Sequence, residues 1–474
     1  MLRGERRMSL ALLLVFACAY AAVARLVFHA FPYSGDEYAQ VLQAEIFAKG
    51  ELSAPAPEHA ELFSVDHVII DQKVRCKYPP GGPALLSIGT IAGTPWLVAP
   101  LEATLALMFL RRAALLSFGD RAALVTVVVA GVSPLFVFNA ATFFSQTPAT
   151  MWLSLSLSAL ASFYGDGRRR WLLLAGTAVG CAFVTRPFDA LVFATPLLLL
   201  GSRRVVGWIA VSGFPALLLL LAYQKAQFGA PLIDGYRVYE PEYRALYGEA
   251  SRSALSIKYL IDPEQIWHHL DALRGLLLDW TLPGSILLFA LGAVVLPRNE
   301  SASSRMRDLT VGLLGACVLG FLPTLSIPDD GPPTRYLSPA LLPIALLSGP
   351  GWIAFRELLD ARIGALGSLG VGSVAIGLSV ASFASVLDKR LPLLWEREGL
   401  SREVAARGLR HAVVLVHAQF PTRYTRNGTT FDNSVLYVRP DVATPQTLAL
   451  WFPGRSVHEA VEGRMWTLLP VQGP

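Results

Sequence analysis

The chain is 474 residues long, 53% hydrophobic and only 16% charged, with a formal net charge of +5 and a pI near 9.0. Soluble domains carry about 25% charged residues, so this composition excludes a soluble enzyme, a disordered protein and a disulfide scaffold. It points to a polytopic membrane protein. Of the four cysteines, Cys18, Cys181 and Cys317 lie in apolar segments and Cys76 stands alone in a polar one, which offers no disulfide framework.

A helix needs about 20 mostly apolar residues to cross a bilayer. The first apolar block, residues 8–28, follows Arg3, Arg6 and Arg7. A signal peptide has the same basic start but a shorter apolar region. The block therefore reads as an uncleaved first helix with a cytoplasmic N-terminus. Residues 36–49 then read as a helix, with Ala39, Leu42, Ile46 and Phe47 near helical spacing and Gly50 as its stop. Residues 81–93 are apolar but short, and they follow Pro79-Pro80. Ten further apolar blocks come next: 95–110, 121–138, 148–164, 171–185, 188–200, 205–223, 281–297, 309–327, 337–355 and 363–386. With the first they predict an α-helical polytopic membrane protein of about 11 transmembrane helices.

Cytoplasmic loops collect Lys and Arg, and this tests the count. With residues 81–93 outside the tally, the even-numbered connectors hold Arg111, Arg112 and Arg121, then Arg168-Arg169-Arg170, Arg203-Arg204, Arg298, Arg305 and Arg307, and Arg356 and Arg362. The short odd connectors carry one arginine each at most. Counting 81–93 as a span would invert that bias, so it is expected to lie in the outer interface or re-enter it. The basic pI is then mainly a topology signal, and nucleic acid is not an expected partner.

Three sizeable parts fall on the outer side: residues 29–94, residues 224–280 and the tail 387–474. The tail has β-like runs at 412–416 and 434–438, separated by turn-rich stretches such as Thr425-Arg426-Asn427-Gly428. It is expected to be a small extracytoplasmic α/β domain following a transmembrane unit of residues 1–386. In loop 224–280, Tyr236, Tyr239, Tyr243 and Tyr247 precede a stripe of Ile266, Leu270, Leu273 and Leu277 that suits an interfacial helix covering a cavity. His268 and His269 point to different helix faces and make a poor metal site. Asp329-Asp330 before Gly331-Pro332-Pro333 reads as a turn. No GxxxxGK[ST] loop is present, so nothing suggests ATP-driven transport.

The outer loops also carry the candidate chemistry. Asp36-Glu37-Tyr38 begins the first outer helix just beyond the first span. A carboxylate partly withdrawn from water at the membrane surface suits general-base work on an acceptor hydroxyl. The plain alternative is a helix start, with Asp36 as the cap and Glu37 in the first turn. Lys77 and Tyr78, just before Pro79-Pro80, could hold a phosphate by charge and hydrogen bond. The alternative there is a snorkelling lysine and an interfacial tyrosine.

Taken together, Asp36-Glu37-Tyr38, Lys49-Gly50 and Lys77-Tyr78-Pro79-Pro80-Gly81 resemble the membrane glycosyltransferases of the C-type superfold. The likeness is to the protein O-mannosyltransferase and lipid A aminoarabinose transferase branch. Ser133-Pro134-Leu135-Phe136, Thr185-Arg186-Pro187 and Thr334-Arg335-Tyr336-Leu337-Ser338-Pro339 add to the resemblance, which covers roughly the first 350 residues.

The resemblance implies transfer of a hexose or pentose from a polyprenyl-phosphate donor to an acceptor hydroxyl on a glycan, lipid or protein. It places Asp36 at the catalytic base and Glu37 at its acidic neighbour. Lys77 and Tyr78 fall near the donor phosphate, with Arg335 and Tyr336 as further phosphate partners. Arg186 is the next candidate, behind an anchoring role. The family often has a histidine or lysine directly before the prolines, where this chain has Tyr78. Asp66 and Asp71 are the local options for a second carboxylate, and the acidic residues could bind one divalent metal or none. The resemblance also implies a bacterial inner membrane location. A transporter or flippase of a lipid-linked or anionic solute, and a non-catalytic scaffold of the same fold, are the alternative functions. The spans hold few charges and no repeat, which disfavours transport.

Overall fold

The computed structural model describes residues 2–239, 256–299, 301–324, 333–418, 423–424, 426–463 and 466–470. Asp329-Asp330, Tyr243 and Tyr247 lie outside the described residues.

Helix α1 (Leu2–Ala22) continues as a π-helical turn, Val23–Val27, and the chain leaves it through His29 and Ala30, both with positive φ. The long loop that follows contains α2 (Gly35–Ala48), a three-stranded sheet of β1 (Ala54–Pro55), β2 (Val68–Ile70) and β3 (Lys73–Cys76), and α3 (Gly81–Ile91). The sheet is antiparallel, in the order β1-β3-β2. Then follow α4 (Val98–Phe118), α5 (Asp120–Gly131), α6 (Pro134–Ala140), α7 (Gln146–Asp166), α8 (Arg169–Thr185), α9 (Pro187–Leu200) and α10 (Arg203–Phe228). After the outer segment come α11 (Pro263–Leu278), α12 (Ser285–Val295), α13 (Ala302–Phe321), a 3-10 turn over Pro333–Ala340 and α14 (Leu341–Ala406), which is kinked at Gly364.

Each apolar block expected from the sequence coincides with a helix, but the helices differ in length. Among the described residues three are long and apolar enough to cross a membrane: Met8–Val27, Arg203–Phe228 and Thr334–Pro392. A fourth span results if α5 and α6, bent by 69° where Pro134 begins a new helix, are taken together. The last two expected spans are thus the two arms of one kinked helix. Helix α3 has 11 residues, roughly 16 Å at 1.5 Å per residue, about half of a hydrocarbon core of ~30 Å.

The helical core is filled by Leu107, Leu110, Leu135, Leu153, Leu157, Leu160 and Leu346, all with no or almost no exposure. Helices α12 and α14 cross at backbone contact. A Cβ on Gly292 would meet the Leu347 carbonyl oxygen at 2.0 Å, and one on Gly351 the Leu288 carbonyl oxygen at 1.8 Å. Small residues permit such close crossings where lipid offers no hydrophobic drive for helices to associate.

Beyond α14 the chain forms a four-stranded sheet of β4 (Ala412–His417), β5 (Val435–Val438), β6 (Ser456–Val461) and β7 (Thr467–Pro470), with α15 (Pro445–Trp451) between β5 and β6. The order is β5-β4-β6-β7, with β4 parallel to β5 and to β6, and β7 antiparallel to β6. Because side chains alternate along a strand, β4 serves two cores. Val413 and Leu415 join Leu42, Ile46, Leu62, Val65 and Val74 of the loop after α1. Val414 and Val416 pack with Leu400, Val404 and Leu468. Tyr38 Oη donates to the Asn427 carbonyl, Lys49 Nζ donates to Thr429 Oγ1 at 2.7 Å, and Phe63 meets Phe431 at 4.7 Å between ring centres.

The crossing of α12 and α14 makes a direct prediction. Gly351→Leu should lower the melting temperature in detergent, through an overpacking cost of about 1–3 kcal/mol. Gly377→Ala, where an added Cβ meets nothing within 4 Å, should leave it unchanged or raise it.

Candidate active site

Helix α2 begins with a reciprocal cap. Ser34 Oγ accepts from the Glu37 amide at 3.1 Å, and Glu37 Oε2 accepts from the Ser34 amide at 3.1 Å and from Ser34 Oγ at 3.0 Å. The other Glu37 oxygen accepts from the Phe143 amide at 3.0 Å, and the residue is 2% exposed. The cap is therefore Ser34, not Asp36. Burial raises the Glu37 carboxyl above the ordinary range, offset in part by the Phe143 and Ser34 hydrogen bonds. Both its oxygens are committed to holding the helix start against the 141–145 turn.

Asp36 is thereby left free of the cap. Its Oδ2 accepts from Arg335 Nη2 at 3.0 Å, and its Oδ1 accepts from Tyr78 Oη. His67 Nε2 lies 3.7 Å from the same Oδ1. The Asp36 side chain keeps 25% exposure beside an Arg335 side chain with 7%. Burial pushes the Asp36 carboxyl up. The charges of Arg335 and Lys77, that of His67 when its ring is protonated, and the Tyr78 hydrogen bond outweigh it and hold the group below the usual carboxylate range.

Arg335 is held by a chain of contacts. Its guanidinium stacks 4.8 Å from the Phe144 ring and 5.1 Å from the Tyr336 ring, and Nη2 also donates to Tyr336 Oη at 3.2 Å. Its carbonyl accepts from Ser338 Oγ at 2.5 Å, and Ser338 Oγ accepts from Asn139 Nδ2 at 2.9 Å. The Asn139 carbonyl accepts from Thr147 Oγ1 at 2.7 Å. Arg335 Nη1 is buried with no hydrogen-bond partner among the described residues.

Lys77 sits in an aromatic cage. Nζ is 5.3 Å from the Tyr78 ring, 5.1 Å from Tyr236 and 4.9 Å from Tyr239. Burial lowers its pKa to about 8, with Asp36 and Asp66 acting in the opposite direction. Tyr236 and Tyr336 remain 44% and 37% exposed at the rim.

The structure thus brings Asp36, Lys77, Tyr78, Arg335 and Tyr336 together, and gives Glu37 a supporting place behind them. Arg186 is spent on Asp189, at 2.6 Å, and on Ser145 Oγ, at 3.2 Å. Asp71 is tied to Arg75 through both oxygens at 2.7 and 2.8 Å. His269 bonds the Thr324 carbonyl at 2.8 Å inside the fold. Among the described residues no three His, Cys, Asp or Glu side chains gather as a metal site. Around Asp36 the neighbours are cations, so the donor set does not suit a divalent ion that needs several oxygens. The sequence placed Tyr236 and Tyr239 only in a loop expected to cover a cavity, and assigned no role to His67, Phe144 or the Asn139–Ser338 link. These contacts join segments far apart in the chain and have no local pattern.

Residues 85–223 match the sequence profile of the dolichyl-phosphate-mannose-protein mannosyltransferase family. No curated protein sequence matches the chain. Among solved structures, ArnT from Cupriavidus metallidurans bound to undecaprenyl phosphate is similar at 15% identity and a TM-score of 0.59, over 97% of this chain and 93% of that one. The apo form of the same protein is similar at 14% identity and a TM-score of 0.57, with the same coverage. The apo oligosaccharyltransferase of Archaeoglobus fulgidus gives 12% identity and a TM-score of 0.50, over 95% of this chain and 69% of that one. The chain therefore has the fold of the C-type membrane glycosyltransferases and, over residues 85–223, the sequence character of their protein-mannosyltransferase branch.

Proposed function

We propose that this protein is an integral membrane glycosyltransferase. It moves a sugar from a polyprenyl-phosphate donor to an acceptor hydroxyl at the extracytoplasmic face. The observation that carries the reading is a carboxylate, Asp36, held within reach of two cations, Arg335 and Lys77, on the outer loops of a C-type fold. The similarity to an ArnT structure holding undecaprenyl phosphate supports a prenyl-phosphate donor.

In this reading the donor phosphate takes Lys77, Arg335, Tyr78 and Tyr336 as partners, with Arg335 Nη1 open to it. The arriving negative charge offsets the cations that hold Asp36 so acidic, and the carboxylate becomes a better base. Asp36 takes the acceptor's hydroxyl proton. The oxygen attacks the anomeric carbon, the bond from that carbon to the phosphate oxygen breaks, and the prenyl phosphate leaves with the electron pair, inverting the centre. Lys77 and Arg335 stabilise the charge that grows on the phosphate. No step needs a nucleotide or a metal. We further propose residues 1–386 as the catalytic unit and 387–474 as an outer part bracing the first loop. The strands of the four-stranded sheet all lie after that boundary, and their core is shared with α2.

Three outcomes test this. With a panel of undecaprenyl-phosphate-linked sugars, Asp36→Asn should abolish transfer, a loss of at least about 100-fold, at unchanged protein level. Retained activity would remove Asp36 from the base role. Arg335→Ala should weaken binding of undecaprenyl phosphate and slow transfer by about 100- to 1,000-fold. The pH dependence follows from Lys77: a lysine lowered to about 8 is charged below that pH and neutral above it. Donor kcat/KM should accordingly fall as pH rises through about 8, and Lys77→Arg should remove that alkaline decline.

A further inference from the structure

Asp36 is poorly placed to keep a proton. Once protonated it is a neutral acid beside Arg335 and Lys77, and the charges that hold the carboxylate in its ionised form make that acid unfavourable. The proton therefore needs a second destination.

The turn that carries His67 is built to bring its ring to Asp36. His67 has a left-handed backbone with φ of 66°, an uncommon conformation for a residue with a Cβ. Its amide donates to Tyr239 Oη at 2.9 Å, and its carbonyl accepts from the Lys77 amide at 3.1 Å. The ring lies edge-on to Tyr78 at 5.8 Å and to Tyr239 at 5.7 Å. On the α2 side there is room only because residue 35 is glycine. A Cβ there would come within 2.5 Å of Asp66 Cβ and 3.3 Å of His67 Cδ2. The result is Nε2 at 3.7 Å from Asp36 Oδ1, with 19% of the His67 side chain exposed toward solvent.

Resting on the glycosyl-transfer reading above, we propose that His67 is a second catalytic group, which accepts the acceptor's proton from Asp36. The acceptor O–H bond breaks to Asp36 as the O–C bond to the sugar forms and the phosphate leaves with its electron pair. The proton then passes from Asp36 Oδ1 to neutral His67 Nε2. Asp36 is left ionised and His67 is left as imidazolium, which then loses its Nε2 proton to water, Nδ1 being buried. The relay needs only closure of the 3.7 Å gap to hydrogen-bond length. The titratable and charged groups facing the imidazole are Asp36 from α2, its neighbour Asp66, Lys77 and Tyr78 after β3, and Tyr239, with Arg335 across Asp36.

The left-handed backbone separates this role from a structural one. Glycine adopts that conformation without strain, so His67→Gly keeps the turn and removes the imidazole. With undecaprenyl-phosphate-linked sugars, we expect His67→Gly to melt no lower than wild type. Transfer should be slower by about 100-fold, with donor KM unchanged and the acid limb of the kcat profile lost. His67→Gln should behave the same way in transfer. Wild-type rate and acid limb in His67→Gly would overturn the relay, while leaving Asp36 as base untouched. A panel on which wild type itself does not act would count against the transfer reading instead. The pairing is then read without turnover, from the pH titration of the His67 side-chain 15N signals, assigned by their loss in His67→Gln. Removing the adjacent carboxylate with Asp36→Asn should move that titration to lower pH. An identical titration in the two proteins would show that the ring is not coupled to Asp36 and would overturn the proposal.

Discussion

Asp36 and Arg335 lie 299 positions apart in the chain and 3.0 Å apart in the fold. Their ion pair joins the start of α2 to the turn before α14, and the rest of the site is arranged around it. Each partner is fixed from behind. Glu37 and Ser34 cap the helix and anchor the Phe143 amide, while Phe144, Tyr336, Ser338 and Asn139 hold Arg335. The 141–145 turn therefore braces both sides at once, through a backbone amide on one residue and an aromatic face on the next. A site built this way has little freedom to reorganise when a charged ligand enters, which is the arrangement electrostatic stabilisation requires.

The second organising feature is the sharing of an apolar core between the loop after α1 and the C-terminal sheet. The β1–β3 sheet is too small to be stable alone, since two or three short strands need a packed face. Leu42, Ile46, Val65 and Val74 obtain that face from Val413, Leu415, Leu436 and Val438. The tail thus supports the loop that carries Asp36, His67 and Lys77. The long arm of α14 connects the two levels, with Trp395 stacked on His29 and Glu398 bonded to the same ring at 2.8 Å.

Much of the fold was legible in the chain itself. Every apolar block falls on helical structure, though not one helix to a block, because long apolar runs have few other conformations that satisfy the backbone in lipid. The outer helix at 36–49 followed from its spacing and from Gly50. The strands at 412–416 and 434–438 followed from β-branched runs between turns. The number of distinct spanning helices was less readable. Whether two blocks form one kinked helix depends on the backbone at Gly364, and whether one block breaks in two depends on Pro134. The cap was also misplaced by two residues: Asp36, Ser34 and Gly35 all suit a helix start, and only the reciprocal bond with Glu37 selects Ser34.

By itself the sequence determined composition, the apolar blocks, the arginine asymmetry and the local motifs in which Asp36, Lys77 and Arg335 sit. These depend on hydropathy and on short-range spacing, which a linear chain displays directly. Only the tertiary structure decided what those residues meet. It put Arg335 on Asp36, spent Glu37 on the cap and Arg186 on Asp189, and closed three tyrosines around Lys77. It also brought His67 beside the carboxylate through a turn that needs glycine at residue 35. Electrostatic roles are set by distance and burial, and both are properties of packing between segments, so no local pattern in the chain could have displayed them.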